Sequence, residues 1–295
     1  MKKKLLSITV LLTVLLLGVG FYTVLASSSG YDAYKEAVKE THKIESGIVN
    51  IDFSISNNGE LLQELTMQSA YNLAEKRSLT TIDLNTSDDK LELQVNTEDN
   101  QVYIKNSSSD TNYVMESNHD SAAVKEKHER FHNKELLTIA ELVVDTLTRP
   151  LHESFVIGPK NTISVNMKNE DLPTVIHAMG SYMVKKSFGS HANIEMTTND
   201  YPFLTNNLKQ VLPAITDEIS FDEIKLDVQL TDTGLIKHQQ AVFRITGNDE
   251  QGQSHILTIK FNFGLENINE TNVEPFNIDG KRLETIETKK VHKFH

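Results

Sequence analysis

The chain of 295 residues contains no cysteine, no tryptophan and only 6 prolines. Without cysteine, neither a disulfide framework nor a thiolate metal site can form, so any metal would need His, Asp or Glu ligands. Proline is sparse and no Pro/Gly/Ser-rich linker follows residue 30. These features favour a single folded domain.

Basic residues are also scarce, because 41 acidic side chains outnumber 29 basic ones and the net charge is -12. A chain with this balance offers no extended basic patch for the phosphate backbone of DNA or RNA. We therefore expect no nucleic-acid partner. The sequence also has no Gly-x-Ser-x-Gly motif and no Gly-rich phosphate loop, so it predicts no cofactor.

Residues 5–26 carry no charged side chain, and Lys2, Lys3 and Lys4 precede them. A basic start followed by an apolar stretch directs export, and this stretch is also long enough to span a bilayer. We expect a signal peptide or N-terminal membrane anchor at residues 1–26. A short linker at 27–30, one extracytoplasmic domain at 31–280 and a C-terminal tail at 281–295 would follow. The protein would be secreted, or anchored to the cell membrane by its N-terminal segment.

The rest of the chain has a two-residue period, in which apolar and polar side chains alternate. This period is typical of strands with one dry and one wet face. It is strong at residues 49–56, 91–95, 163–167, 224–230 and 257–263, and weaker at 61–73, 77–84, 101–105 and 235–246. Turn signals such as Asn57-Asn58-Gly59 separate neighbouring strands and predict antiparallel pairing.

Helical spacing interrupts the strands. It predicts a first helix at residues 31–44 and another, later in the chain, at 203–212. Two apolar stripes indicate further helices, formed by Leu136, Ile139, Ala140, Val143, Val144 and Leu147, and by Leu172, Val175, Ile176, Met179, Tyr182 and Met183. Together these patterns predict an α+β fold. We expect a curved antiparallel sheet or open half-barrel of about 9–11 strands, with helices packed on its concave face.

The dry face of this sheet is the candidate ligand cavity. Amphipathic strands predict such a face, but they do not separate a cavity from a packed core. The candidate cavity residues are Val49, Ile51, Phe53, Leu91, Leu93, Ile224, Leu226, Val228, Ile259, Phe261 and Phe263.

One motif suggests chemistry instead of binding. His128-Glu129-Arg130-Phe131-His132 fits the zinc-peptidase pattern, in which two histidines on one helix face hold Zn²⁺ and the glutamate activates a water. Charged flanking residues are more typical of a solvated helix end than of a dry metal site. We therefore keep a zinc peptidase as a remote alternative and predict no catalytic residue and no metal.

The layout of export signal, leading helix, alternating strands, mid-chain helices and final hairpins resembles the LolA/LppX-like extracytoplasmic proteins. The opening helix, with Tyr31, Tyr34, Lys35 and Thr41, is also similar to that of uncharacterised Gram-positive envelope proteins. This resemblance implies a half-barrel whose helices plug an apolar concave face, and a cavity for acyl chains or a lipidated partner. No cysteine is available for acylation, so residues 5–26 would provide any direct membrane attachment.

The sequence thus predicts a non-enzymatic binding protein at the cell envelope, with a lipid or other apolar ligand as its partner. The alternative is a membrane-anchored sensor or interaction ectodomain that binds a regulatory envelope protein. A retained N-terminal segment favours the ectodomain, whereas a cleaved, freely diffusing form favours a carrier.

Overall fold

The structure is a computed structural model that describes residues 30–87, 89–99, 101–116, 153–188, 194–196, 198, 201–204, 208–210, 212–277 and 282–286. Helix α1 covers Gly30–Thr41 and helix α2 covers Thr174–Phe188, with a short 3₁₀ turn at Asn169–Asp171. The predicted helices at 31–44 and around 172–183 are confirmed. The predicted stripe from Leu136 to Leu147 lies outside the described residues.

Most of the described chain is strand. Twelve strands form one large sheet and two short ones form a separate pair. In chain order they are β1 (Ser46–Asn57), β2 (Glu60–Asn72), β3 (Arg77–Thr86), β4 (Lys90–Glu98), β5 (Gln101–Asn106), β6 (Thr111–Glu116), β7 (Val156–Gly158), β8 (Thr162–Lys168), β9 (Ile194–Met196), β10 (Leu208–Gln210), β11 (Asp217–Leu230), β12 (Ile236–Asn248), β13 (Ser254–Glu266) and β14 (Arg282–Thr285).

Two meanders make up the large sheet, in the order β14-β6-β5-β4-β3-β2-β1-β13-β12-β11-β8-β7. They are joined by the antiparallel pairing of β1 with β13, which runs from Ile48 opposite Glu266 to Asn57 opposite Leu257. Strand β14 pairs parallel with β6, so the sheet is mixed. Its two end strands, β14 and β7, do not pair with each other within the described chain. The sheet is therefore open, and the predicted curved sheet fits it.

Turn chemistry fixes the register of the hairpins. Asn58 and Gly59 link β1 to β2 with φ angles of 51° and 89°, and a tight two-residue hairpin needs positive φ at both positions. In the loop between β12 and β13, the Asp249 carboxylate accepts the Gln253 N–H at 2.7 Å and the Gln251 N–H at 3.0 Å. The Gln253 hydrogen bond in particular lowers the pKa of Asp249, because it stabilises the charged carboxylate.

The strands predicted from strong alternation are confirmed as β1, β4, β8, β11 and β13, and the weaker ones as β2, β3, β5 and β12. The predicted count of 9–11 strands is too low, since the large sheet alone has twelve. The strands that the prediction missed include β6, β7 and β14, which are 6, 3 and 4 residues long. Strands so short do not show a clear two-residue period. Strand β14 also extends the sheet into the predicted tail.

The predicted helix at 203–212 is wrong. Leu208–Gln210 is strand β10, which pairs antiparallel with β9, Leu208 lying opposite Met196 and Gln210 opposite Ile194. Backbone groups that bond across a strand ladder are not available for bonds along a helix.

The predicted stripe at 172–183 is confirmed at Leu172 and Ile176, which pack in the hydrophobic core, but it is wrong at Tyr182. This side chain is 66% exposed, whereas Val184 is buried. The reason lies at Gly180, where a Cβ would come within 2.2 Å of the Phe221 ring. Since only glycine leaves room for this ring, the helix approaches β11 along the row that contains Gly180 and Val184.

We expect Leu257→Ala to lower the free energy of unfolding by about 2–5 kcal/mol, because a fully buried leucine leaves a cavity when truncated. Leu61→Ala is the matched control, because this leucine is 55% exposed. It should change stability by less than ~0.5 kcal/mol. Urea denaturation of both variants measures the difference, and equal losses would contradict the described core.

Candidate functional site

One face of the large sheet is apolar across both meanders. Residues directly opposite each other on paired strands point to the same side of the sheet. Phe53 of β1 lies opposite Phe261 of β13, which lies opposite Ala241 of β12, and Ala241 lies opposite Leu226 of β11. On the other side, Phe53 lies opposite Leu65 of β2. The same register continues to β8 on one side and through β3 to β4 on the other. We call this surface of the sheet the apolar face.

The structure places all eleven predicted cavity residues on the apolar face. Seven of them are buried, namely Phe53, Leu91, Leu93, Leu226, Val228, Ile259 and Phe261. The other four, Val49, Ile51, Ile224 and Phe263, are half-buried. That these residues line a cavity stays a prediction.

Two packed clusters occupy the apolar face. The larger one contains Phe53 and Phe261 together with Tyr34 and Ala37 of helix α1. The smaller one contains Leu91, Leu93, Ile104 and Leu204. Helix α1 and the segment at 201–204 therefore contribute to the core beside the sheet.

Between the clusters lies a group of half-buried apolar side chains. They lie in two rows that cross β1 to β4 and end at buried residues: Ile51, Met67, Ile82 and buried Leu93 in one, and buried Phe53, Leu65, Leu84 and buried Leu91 in the other. We call the half-buried members the seam. The seam residues are Ile51, Leu65, Met67, Ile82 and Leu84.

Sequence reasoning singled out Ile51 but missed the other four seam residues. The strands that carry them were predicted, and Leu65-x-Met67 and Ile82-x-Leu84 both show the two-residue spacing. Extending the cavity prediction to these weaker strands would have found them.

A polar pair is buried in the larger cluster. The Tyr34 hydroxyl donates a hydrogen bond to Gln239 Oε1 at 3.0 Å, and both residues are buried. Burial raises the pKa of Tyr34 to about 12, although the bond to Gln239 acts in the opposite direction. The hydrogen bond to Gln239 therefore satisfies the Tyr34 hydroxyl, which is buried on an otherwise apolar face.

The smaller cluster is covered by the segment at 201–204. Asn106 Nδ2 donates to the Phe203 carbonyl at 2.9 Å, and the Asn106 side-chain oxygen accepts the Ser108 N–H at 2.8 Å. The Tyr201 and Phe203 rings lie 5.8 Å apart. Buried Asn106 therefore binds this cover through its Nδ2, while the bond from Ser108 to its side-chain oxygen holds the amide in orientation.

The opposite face of the sheet is mostly polar, and a C-terminal strap at residues 267–277 crosses part of it. Asn72 Nδ2 donates to the Thr271 carbonyl at 3.3 Å, and Glu98 Oε2 accepts the Phe276 N–H at 3.2 Å. The Phe276 ring packs on Tyr103 at 4.7 Å. Because these partners lie on β2, β4 and β5, the strap spans several strands of the first meander.

The zinc motif at His128 and His132 lies outside the described residues. Within the part of the chain that the structure describes, no three His, Asp or Glu side chains are grouped closely enough to hold a metal ion. Neither helix in that part is long and apolar enough to cross a membrane.

No family model matches the chain, and no curated protein matches it either. A LolA superfamily protein from Nitrosomonas europaea is 6% identical with a TM-score of 0.22, and the similarity covers 81% of this chain and 94% of that one. A β-barrel-like protein of the domain of unknown function DUF1849 from Brucella abortus is 7% identical with a TM-score of 0.17, covering 76% and 99% of the two chains. TM-scores this low do not establish a shared fold, so the fold described above rests on the chain's own strand pairing.

The raised pKa of Tyr34 predicts a loss of stability in alkali. Above the ordinary value of 10.0, the unfolded chain releases this proton while the folded chain keeps it up to about pH 12. The free energy of unfolding should therefore be fully retained below pH 10 and fall by up to ~1.4 kcal/mol per pH unit above it.

Tyr34→Phe should flatten this alkaline loss, at a cost of about 1–3 kcal/mol at neutral pH because Gln239 loses its partner. Tyr182→Phe is the control, since Tyr182 is 66% exposed. Denaturant titrations from pH 8 to 11 measure the slopes. An unchanged slope in Tyr34→Phe would show that this hydroxyl is not the titrating group.

Proposed function

We propose that this chain is a non-enzymatic, extracytoplasmic binding protein that holds a lipid or other apolar ligand against its apolar face. The observation that carries the proposal is the seam. Ile51 and Leu65 pack against the larger cluster and Ile82 and Leu84 against the smaller one, yet all of them and Met67 keep part of their surface exposed, and this part is available to a ligand. Covering such surface is favourable by about 25 cal/mol per Å².

The seam has a suitable shape for an elongated apolar group. Its residues cross two inter-strand steps from β1 to β3, about 10 Å in total. A single acyl chain can follow such a row. Of the predicted cavity residues, Ile51 would touch the ligand, whereas Phe53 and Phe261 would hold the sheet in shape from within the packed cluster.

The cellular location belongs to the same proposal. Residues 5–26 are uncharged behind three lysines, which supports export. The chain would therefore work at the cell envelope, either free or anchored. The predicted sensor ectodomain would share this location but would bind a protein.

A charge placed on the seam should block ligand uptake. We expect Met67→Glu to reduce uptake of a fluorescent fatty acid by at least about tenfold, because the carboxylate would be desolvated by the bound chain. Thr66→Glu is the matched control. It adds the same charge one residue away, on the opposite and exposed side of β2.

Fluorescence titration of both variants, with thermal melts to show that they are folded, measures this effect. Equal uptake by the two variants would contradict the proposal. By contrast, Phe53→Asp should unfold the protein, because this side chain is only 5% exposed within a packed cluster.

Native mass spectrometry of the full chain, purified in mild detergent without chelator, distinguishes the three candidate functions. We expect an added mass of lipid size. An added zinc that disappears in a His128→Ala, His132→Ala double variant would overturn the non-enzymatic assignment and support the peptidase. A bare polypeptide mass would instead favour the protein-binding ectodomain.

A further inference from the structure

Strand β7, at one end of the large sheet, exposes two consecutive large apolar side chains. Val156 is 59% exposed and Ile157 is 54% exposed. Successive strand residues point to opposite faces, so this edge is apolar on both sides. Single exposed hydrophobic residues are common on protein surfaces, whereas adjacent ones on an edge strand leave both apolar surface and unpaired backbone open to a partner.

The edge is continuous with the apolar face. Ile157 lies opposite Ile163 of β8, which lies opposite Val228 of β11. Both Ile163 and Val228 are buried in the larger cluster. Ile157 is therefore the exposed end of a row that leads into the proposed ligand-binding face.

The same edge is fixed to the start of helix α1. A Cβ on Gly30 would lie 2.5 Å from the Phe155 carbonyl oxygen, so the backbones are in close contact. The Tyr31 ring packs edge-on against Phe155 at 5.4 Å, and Tyr34 lies 5.6 Å from it. The first described residue of the chain thus lies beside the residue that precedes Val156.

The chain upstream of Gly30 limits how far this edge can stand from a membrane. The uncharged stretch ends at residue 26, and three serines separate it from Gly30. Four steps of fully extended chain span at most about 14 Å. The headgroup layer on each side of a bilayer is itself about 5–8 Å thick.

From this geometry we infer that the β7 edge, with Val156 and Ile157, docks onto the headgroup layer of a phospholipid bilayer. The inference rests on the proposed function, in the form in which residues 5–26 are retained as an anchor. The anchor holds α1 and β7 at the membrane surface, where exposed apolar side chains and an aromatic ring such as that of Tyr31 are favoured.

The absence of cysteine makes a direct test straightforward, because one introduced cysteine can be labelled alone. The full-length variants Val156→Cys, Ile157→Cys and Leu61→Cys, each carrying an environment-sensitive fluorophore, are reconstituted into phosphatidylcholine/phosphatidylglycerol vesicles. Leu61 is the matched control, since it is 55% exposed and lies on β2, far from β7 in the strand order.

We expect the labels at 156 and 157 to shift to shorter emission wavelengths and to be quenched when spin-labelled lipids are included. The label at 61 should do neither. Labels at 156 and 157 that ignore the spin-labelled lipids overturn the inference. So does a shift that depends on protein density but not on the quencher, because it would indicate pairing of β7 with a second copy. Processing that removes residues 5–26 in the producing cell also overturns it.

Fatty-acid uptake by the Met67→Glu and Thr66→Glu variants, set beside the quenching of the labels, separates the two proposals. If the Met67→Glu and Thr66→Glu variants take up the probe equally while the labels at 156 and 157 are quenched, the binding site fails and the membrane contact stands. If the first pair differs and the labels are not quenched, the binding site stands and the membrane contact fails.

Discussion

The pairing of β1 with β13 is the interaction on which the rest of the structure depends. It connects residues 48–57 to 257–266, about two thirds of the chain apart, and it turns two local meanders into one sheet. Phe53 opposite Phe261 and Ile55 opposite Ile259 supply the apolar contact along it. Without this pairing β1 and β13 would each be an edge strand with one unpaired side, and each meander would carry half of an apolar face. The larger cluster, which contains Phe53 of β1 and Phe261 of β13, depends on it.

The sequence predicts the long strands because their physical signals are local. The alternation in β1 and β13 and the Asn58-Gly59 turn each specify structure within a dozen residues. Strands β7 and β14 escape prediction because a few residues show no clear period, and their pairing is set by distant neighbours. The assignment of Tyr182 to the apolar stripe of helix α2 is wrong for a related reason. The helix packs on β11 along the row of Gly180 because the Phe221 ring, forty-one positions later, fills the space above this glycine.

The candidate site shows the same limit. Which residues face the dry side follows from the period of two, so the predicted cavity residues do share a face. Which of them are covered depends on what packs above the sheet, namely Tyr34 and Ala37 of α1 and Leu204 of a loop. No pattern around Phe53 could show that a helix some twenty residues earlier covers it. The presence of the polar Gln239 on an apolar face is likewise explained only by Tyr34, whose hydroxyl donates a hydrogen bond to it.

The C-terminal strap packs on strands that are synthesised long before it. Its contacts are with β2, β4 and β5, and the bonded residues Glu98 and Phe276 are 178 positions apart in the chain. Before residues 267–277 have been synthesised, the Tyr103 ring lacks Phe276 as its packing partner, and Val273, which is buried in the folded protein, is not yet present. A chain that stops early would display this uncovered surface to proteases and chaperones. The strap can thus cover the first meander only after the strands of the second meander, β7, β8 and β11 to β13, have been synthesised.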